Sequence, residues 1–166
     1  NLVGKIHGGW GMAKALLAHE RVGTGANVDI EGLLDTIKGL ASEYSDEGRD
    51  LRKDPSFRRR LARLEMDYEC LRATRYRMLT AVMQGRAPGP ESSIFKLYQS
   101  ELCQRLYDLA AETMGPDAAR WYDETLSPAA FPVPMAMSIT RAMSIYSGSN
   151  EVQRNIIAKR VLNLPD

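Results

Sequence analysis

The feature that most constrains this chain is a helical rhythm that runs unbroken from Asp54 to Gly85. Asp54-Pro55 is a start signal: a carboxylate at the cap accepts the free N–H groups of the first turn, and proline's fixed φ suits the first helical position. Beyond it Phe57, Leu61, Leu64, Tyr68, Leu71, Met78 and Val82 fall on one apolar stripe. At ~1.5 Å per residue such a helix reaches about 45 Å. A stripe of that length needs partners of similar length to cover it, so the chain is expected to fold as an antiparallel bundle.

The flanking segments supply those partners. Arg86-Ala-Pro-Gly-Pro90 breaks the rhythm, and a further helix is predicted from Ser92 to Met114, with Ile94, Leu97, Leu102, Leu106 and Leu109 inside and Gly115-Pro116 as its stop. Two long helices joined by a short Pro/Gly turn should lie antiparallel. Toward the amino end, Trp10 to Val22 carries Trp10, Ala13 and Leu17 at steps of three and four. Val28 to Tyr44 places Ile30, Leu33, Leu34, Ile37 and Leu40 on one face, ahead of a charged loop at 46–54. Residues 116–134 hold four prolines and little periodicity, which predicts an extended loop. Met135 to Tyr146 and Asn150 to Leu162 then read as two helices broken at Ser147-Gly148-Ser149. The expected fold is all-α, an antiparallel helical bundle of about six helices forming one domain over residues 1–166.

Composition narrows the function classes. With 44% hydrophobic and 26% charged residues and a formal net charge of +1, the chain lacks the basic footprint of a nucleic-acid binder. Arg58-Arg59-Arg60 lies inside the long helical pattern and reads as a solvated helix face. Cys70 and Cys103 both fall in helical segments and give neither a metal spacing nor a disulfide framework, which suits a reducing, cytoplasmic compartment. No apolar run approaches the roughly 20 residues of a membrane span. Asn1-Leu-Val-Gly-Lys-Ile6 reads like the tail of a strand or loop, so the sequence is expected to be a segment of a longer protein.

Spacing alone supports little chemistry. There is no glycine fingerprint for a nucleotide, no Ser/His/Asp set and no metal-ligand spacing. His7 and His19 read as ordinary polar side chains, and Met135, Met137 and Met143 as core filler. Glu20 follows Trp10, Ala13 and Leu17 on one face. Partial desolvation there would raise its pKa toward the range of a general base, although on periodicity alone it is a surface charge beside Arg21.

The closing stretch Ile145-Tyr-Ser-Gly-Ser-Asn-Glu-Val-Gln-Arg-Asn-Ile-Ile-Ala-Lys-Arg-Val-Leu-Asn-Leu-Pro165 resembles the end of the acyl-CoA dehydrogenase family. Gly9-Trp10 and Leu17-Ala-His-Glu-Arg21 are similar to that family's entry into the first helix of its C-terminal bundle, and Pro90-Glu-Ser-Ser-Ile-Phe-Lys-Leu97 resembles a bacterial branch. The resemblance implies FAD-dependent introduction of an α,β double bond into an acyl-CoA thioester, with electron-transfer flavoprotein or a similar acceptor downstream. It also implies N-terminal helical and middle β domains ahead of this one, and a homo- or hetero-oligomer, dimer or tetramer.

In one subset of the family the base is a Glu before the Gly of the turn between the last two helices, where this chain has Ser147. In another it is a Glu before an Arg on the first bundle helix, which matches Glu20-Arg21. The resemblance therefore makes Glu20 the expected catalytic base and Ser149 and Glu151 the expected cofactor contacts, and no metal is called for. The start of the last helix would suit an anionic diphosphate. The Arg-x-x-Phe-Gly segment of many relatives is not recognisable around Tyr44 to Arg52, and their Gln-x-x-Gly-Gly turn is reduced to Glu112-Thr-Met-Gly115-Pro. Those departures leave a second expectation open, a subunit that mainly completes the fold and interface of a partner.

Overall fold

The computed structural model describes residues 4–23, 28–45, 48, 50–86 and 89–165, with the side chains of 18–23 outside that description. Within it lie six α-helices: α1 (Gly9–Gly23), α2 (Ile30–Glu43), α3 (Pro55–Met83), α4 (Ser92–Met114), α5 (Val133–Thr140) and α6 (Asn150–Ile156). Short 3-10 turns follow α4 at Gly115–Ala119 and α5 at Arg141–Ser144, and α6 widens into a π turn at Ile157–Val161. No strand occurs among the described residues, so the fold is the expected all-α bundle.

Local chemistry sets the helix starts. Asp54 Oδ1 accepts the Phe57 N–H at 2.6 Å with Pro55 in the first turn, as the sequence predicts. Asp29 caps α2 in the same way, accepting from Gly32 at 2.9 Å. Gly115 ends α4 at φ +60°, a conformation that glycine adopts without a steric penalty.

Cross-helix pairs give the directions. Arg60 on α3 meets Glu112 near the end of α4, and Asp67, two turns further along α3, meets Arg105 and Tyr98 further back on α4. The two long helices are therefore antiparallel. Helix α2 runs alongside α4 in the same direction, since Tyr44 at its carboxyl end reaches Asp117 just past α4. Beyond α4 the chain returns along that helix as far as Asn150, from which α6 turns forward again. The Thr140 carbonyl accepts from Gln104, Arg141 pairs with Asp108, Asn150 meets Lys96 and Ser100, and Arg154 meets Glu101.

Helix α4 is thus the axis of the molecule, packed by α1, α2, α3, α5 and α6. The core runs along it through Ile37, Leu40, Leu102, Leu106, Leu109 and Val133, all fully buried. The face predicted for α2 is buried throughout. On α3 the stripe is buried at Phe57, Leu64 and Leu71 but surfaces at Val82, because α3 outruns its partners. Met143 is buried and Met137 packs on the core, as filler.

Two expectations change. Residues 116–134 are not an extended loop. The Arg120 guanidinium forks between Asp117 and Asp123, the Ser127 hydroxyl accepts from the Ala130 N–H, and Ala130 and Val133 are buried. Side chains rather than periodicity compact this segment, so a periodicity reading passes over it. Helix α5 also begins earlier and ends earlier than Met135 to Tyr146, closing at Thr140 before the 3-10 turn.

Candidate functional site

The segment between α5 and α6 and the first turn of α6 carry Ser149 and Glu151, the two residues expected at a cofactor. Ser147 and Gly148 both adopt positive φ, +56° and +87°, and together they reverse the chain. At φ +87° a side chain at Gly148 would be strained, and its Cβ would come within 2.6 Å of Gln153 Nε2 and displace it. Gln153 reaches back from α6 and donates through Nε2 to the Ser147 carbonyl at 3.3 Å and the Gly148 carbonyl at 3.0 Å, clamping the turn from inside. Among the described residues its Oε1 is buried without a hydrogen-bond partner, as is Ser93 Oγ on α4.

Ser149 caps α6, its hydroxyl accepting the Val152 N–H at 3.5 Å. The exposed Glu151 carboxyl is held below its usual range, first by its own backbone N–H, then by the Ser149 side chain, with the charges of Arg154 and Lys96 adding. The structure therefore places Ser149 and Glu151 at the start of α6, the first half-buried and the second exposed. Asn150 and Gln153, by contrast, are buried.

Beneath them lies a residue that the sequence reading passes over. Lys96 on α4 is 6% exposed and donates to Asn150 Oδ1 at 2.8 Å, and Ser100 Oγ donates to the same oxygen at 3.1 Å. Burial pushes the Lys96 ammonium below its ordinary pKa, while Glu151 pulls it back up. A signal was present in the sequence: Ser92, Ser93, Lys96, Gln99 and Ser100 recur at helical spacing and are all buried. Attention to the apolar stripe of the same helix hides this polar one.

Glu20 lies in the last part of α1, where the described part of the structure carries the backbone but not the side chain. The face expected to desolvate it is not an inward stripe, since Trp10 is 72% exposed and only Ala13 and Leu17 are half-buried. Ser147 offers no carboxylate at the turn. At the end of α4, Glu112 is engaged by the Arg60 guanidinium, which lowers its pKa. Among the described residues no group of three metal-binding side chains occurs. A groove of about 270 Å³ between the start of α2, α3 and α4 is lined by Tyr68, Arg72 and Phe95 and by none of the expected site residues.

The residues at the turn fit part of a flavin cofactor. The half-buried Ser149 hydroxyl, which already accepts the Val152 N–H, and the exposed Glu151 carboxylate present acceptors to hydroxyl and N–H groups. They do not suit the diphosphate, because Glu151 places a negative charge at the helix start where the anion would sit.

Comparison with known proteins places the chain in a family. The chain is 36% identical over 175 residues to acyl-CoA dehydrogenase IpdE1 of Mycobacterium tuberculosis, covering 99% of this chain and 40% of that protein. Its fold matches a structure described as the Tcur3481-Tcur3483 steroid ACAD with TM-score 0.74 at 25% identity, over 98% of this chain and 41% of the other. It matches butyryl-CoA dehydrogenase from Megasphaera elsdenii with TM-score 0.70 at 25% identity, over 93% of this chain and 39% of that one. The chain thus spans about two fifths of the length of these relatives. Residues 7–162 match the family described as acyl-CoA dehydrogenase, C-terminal domain, and the chain belongs to that family.

Proposed function

We propose that this domain serves an FAD-dependent acyl-CoA dehydrogenase that introduces an α,β double bond into an acyl-CoA thioester. The observation that carries the reading is the family match across residues 7–162, joined to a relative of 36% identity that bears that name. Because the relatives are more than twice as long, the domain acts with the N-terminal helical and middle β domains of such an enzyme. Electron-transfer flavoprotein or a similar acceptor takes the electrons, and the assembly is a cytoplasmic homo- or hetero-oligomer. No described helix is long and apolar enough to cross a membrane.

Glu20 is the base in this reading. Its carboxylate takes the proton from the carbon next to the thioester, and Ser147, which has no group able to do so, leaves that task to α1. FAD, when bound, supplies the hydride acceptor for the neighbouring carbon. Ser149 and Glu151 hold hydroxyl or N–H groups of the cofactor from the α6 side.

Replacing Glu20 by Gln in the complete enzyme keeps the shape and removes the proton acceptor. Flavin should stay bound while oxidation of an acyl-CoA falls by about 10²-fold or more, the scale of general-base catalysis. Turnover near that of the parent would rule Glu20 out. A second reading, a subunit that mainly completes a partner's fold and site, draws support from Glu112 being engaged by Arg60. In that case the same substitution leaves the activity of the assembled enzyme unchanged.

A further inference from the structure

The contact between Lys96 and Asn150 is hard to account for as a source of stability. A buried ammonium is costly unless a carboxylate neutralises it, and here the atom it meets is a neutral amide oxygen. Among the described residues no carboxylate oxygen lies within ion-pair distance of Lys96, and Glu151 acts on it only from further off. The cation also sits beside the first residue of α6, where the helix already carries partial positive charge. Among the described residues, Ser93 Oγ and Gln153 Oε1 are also buried without a hydrogen-bond partner. A polar seam this costly, placed under one turn, is better explained by what it holds in place.

What it holds is the orientation of the turn. Asn150 is drawn inward by Lys96 and Ser100, and Gln153 is drawn inward by the Ser147 and Gly148 carbonyls. With residues 150 and 153 fixed inside, the helical period sets Glu151 and Val152 outside and leaves Ser149 at the rim.

We propose that Lys96 is a positioning residue whose ammonium, acting through Asn150, fixes the Ser147–Ser149 turn and the start of α6 so that Ser149 and Glu151 are presented outward. The inference rests on the cofactor reading only for what those two residues would meet. Replacing Lys96 by Met keeps the stem and removes the donor. In amide hydrogen exchange of this chain, the Val152 and Gln153 amides should then exchange roughly ten- to a hundredfold faster, the scale of one hydrogen bond to a charged group. Amides of Leu102, Leu106 and Leu109 should keep their protection. Lys96→Arg should restore slow exchange at Val152 and Gln153.

In the complete enzyme, Lys96→Met should weaken FAD binding by a similar factor, and Lys96→Arg should recover it. Unchanged exchange at Val152 and Gln153, or equal acceleration across the bundle, would overturn the proposal. Should Lys96→Met fail to fold, Asn150→Ala removes the acceptor instead and must give the same local pattern. Ser149→Ala and Glu151→Gln test the cofactor reading separately. If neither alters FAD affinity that reading falls, while the exchange pattern still decides the role of Lys96.

Discussion

The Tyr98 hydroxyl on α4 donates to Asp67 Oδ1 on α3 at 2.7 Å, and Arg105, two turns further along α4, takes the other oxygen of the same carboxylate at 2.6 Å. The pair ties the long helix to the axis midway along its length, and it drives the Tyr98 hydroxyl up to about 12, burial being the larger cause and the Asp67 bond the next.

Asp67→Ala should therefore destabilise the fold by about 1–2 kcal/mol, since it leaves a half-buried hydroxyl and a guanidinium without their acceptor. Arg105→Ala should cost less, because that ion pair is half exposed and solvent screens it. Urea unfolding of both variants checks the order; equal losses would mean that the tyrosine bond contributes nothing.

Leu106 lies on α4 with no exposed surface, among the side chains of the core. Leu106→Ala should cost about 2–5 kcal/mol as transfer and cavity terms combine. Met83 at the overhanging end of α3 is 88% exposed, and Met83→Ala should fall within roughly 0.5 kcal/mol of the parent. A thermal scan of the pair would expose a misplaced core if the two losses were alike.

The two cysteines should differ in reactivity. Burial drives the Cys103 thiol up to about 12, whereas Cys70 is exposed. Since the thiolate is the reactive form, a disulfide reagent at mildly alkaline pH should label one thiol per native chain. Cys70→Ser should remove that labelling. Two fast equivalents in the native protein would contradict the burial of Cys103.

Acid should act through the connecting segments. Hydrogen bonds from the Thr125 side chain and backbone, then from Arg120, hold Asp123 at about 2, and Arg52 holds Asp50 at about 2. Both folded values lie below the ordinary 3.8, so their contribution is fully present above about pH 4 and is lost as pH falls toward 2. Urea midpoints measured between pH 6 and 2 should decline in that lower window, and Asp123→Asn should flatten part of the decline. A variant with the parent's full acid slope would place the sensitivity elsewhere.

Much of this molecule is legible from residue spacing. The Asp54-Pro55 start, the Gly115 stop and the buried face of α2 all follow from local rules acting on neighbouring residues. Residues 116–134 are not legible in that way, because the Arg120 fork and the Ser127 turn are particular side-chain contacts with no period. At the candidate site, Ser149 and Glu151 come from resemblance rather than from physics, and the structure adds that Ser149 caps the helix on which Glu151 stands. Lys96 and Asn150 are 54 residues apart, and neither alone announces a partner. Only the polar period at 92, 93, 96, 99 and 100 pointed there.

Because every other helix packs on α4, the order of synthesis matters to this chain. Residues 30–83 leave the ribosome with the apolar faces of α2 and α3 but without the surface that covers them, and they stay aggregation-prone until Met114 has been made. The nascent amino-terminal half is thus the stage at which a chaperone would have most to shield, and a premature stop before α4 should yield insoluble protein rather than a smaller bundle.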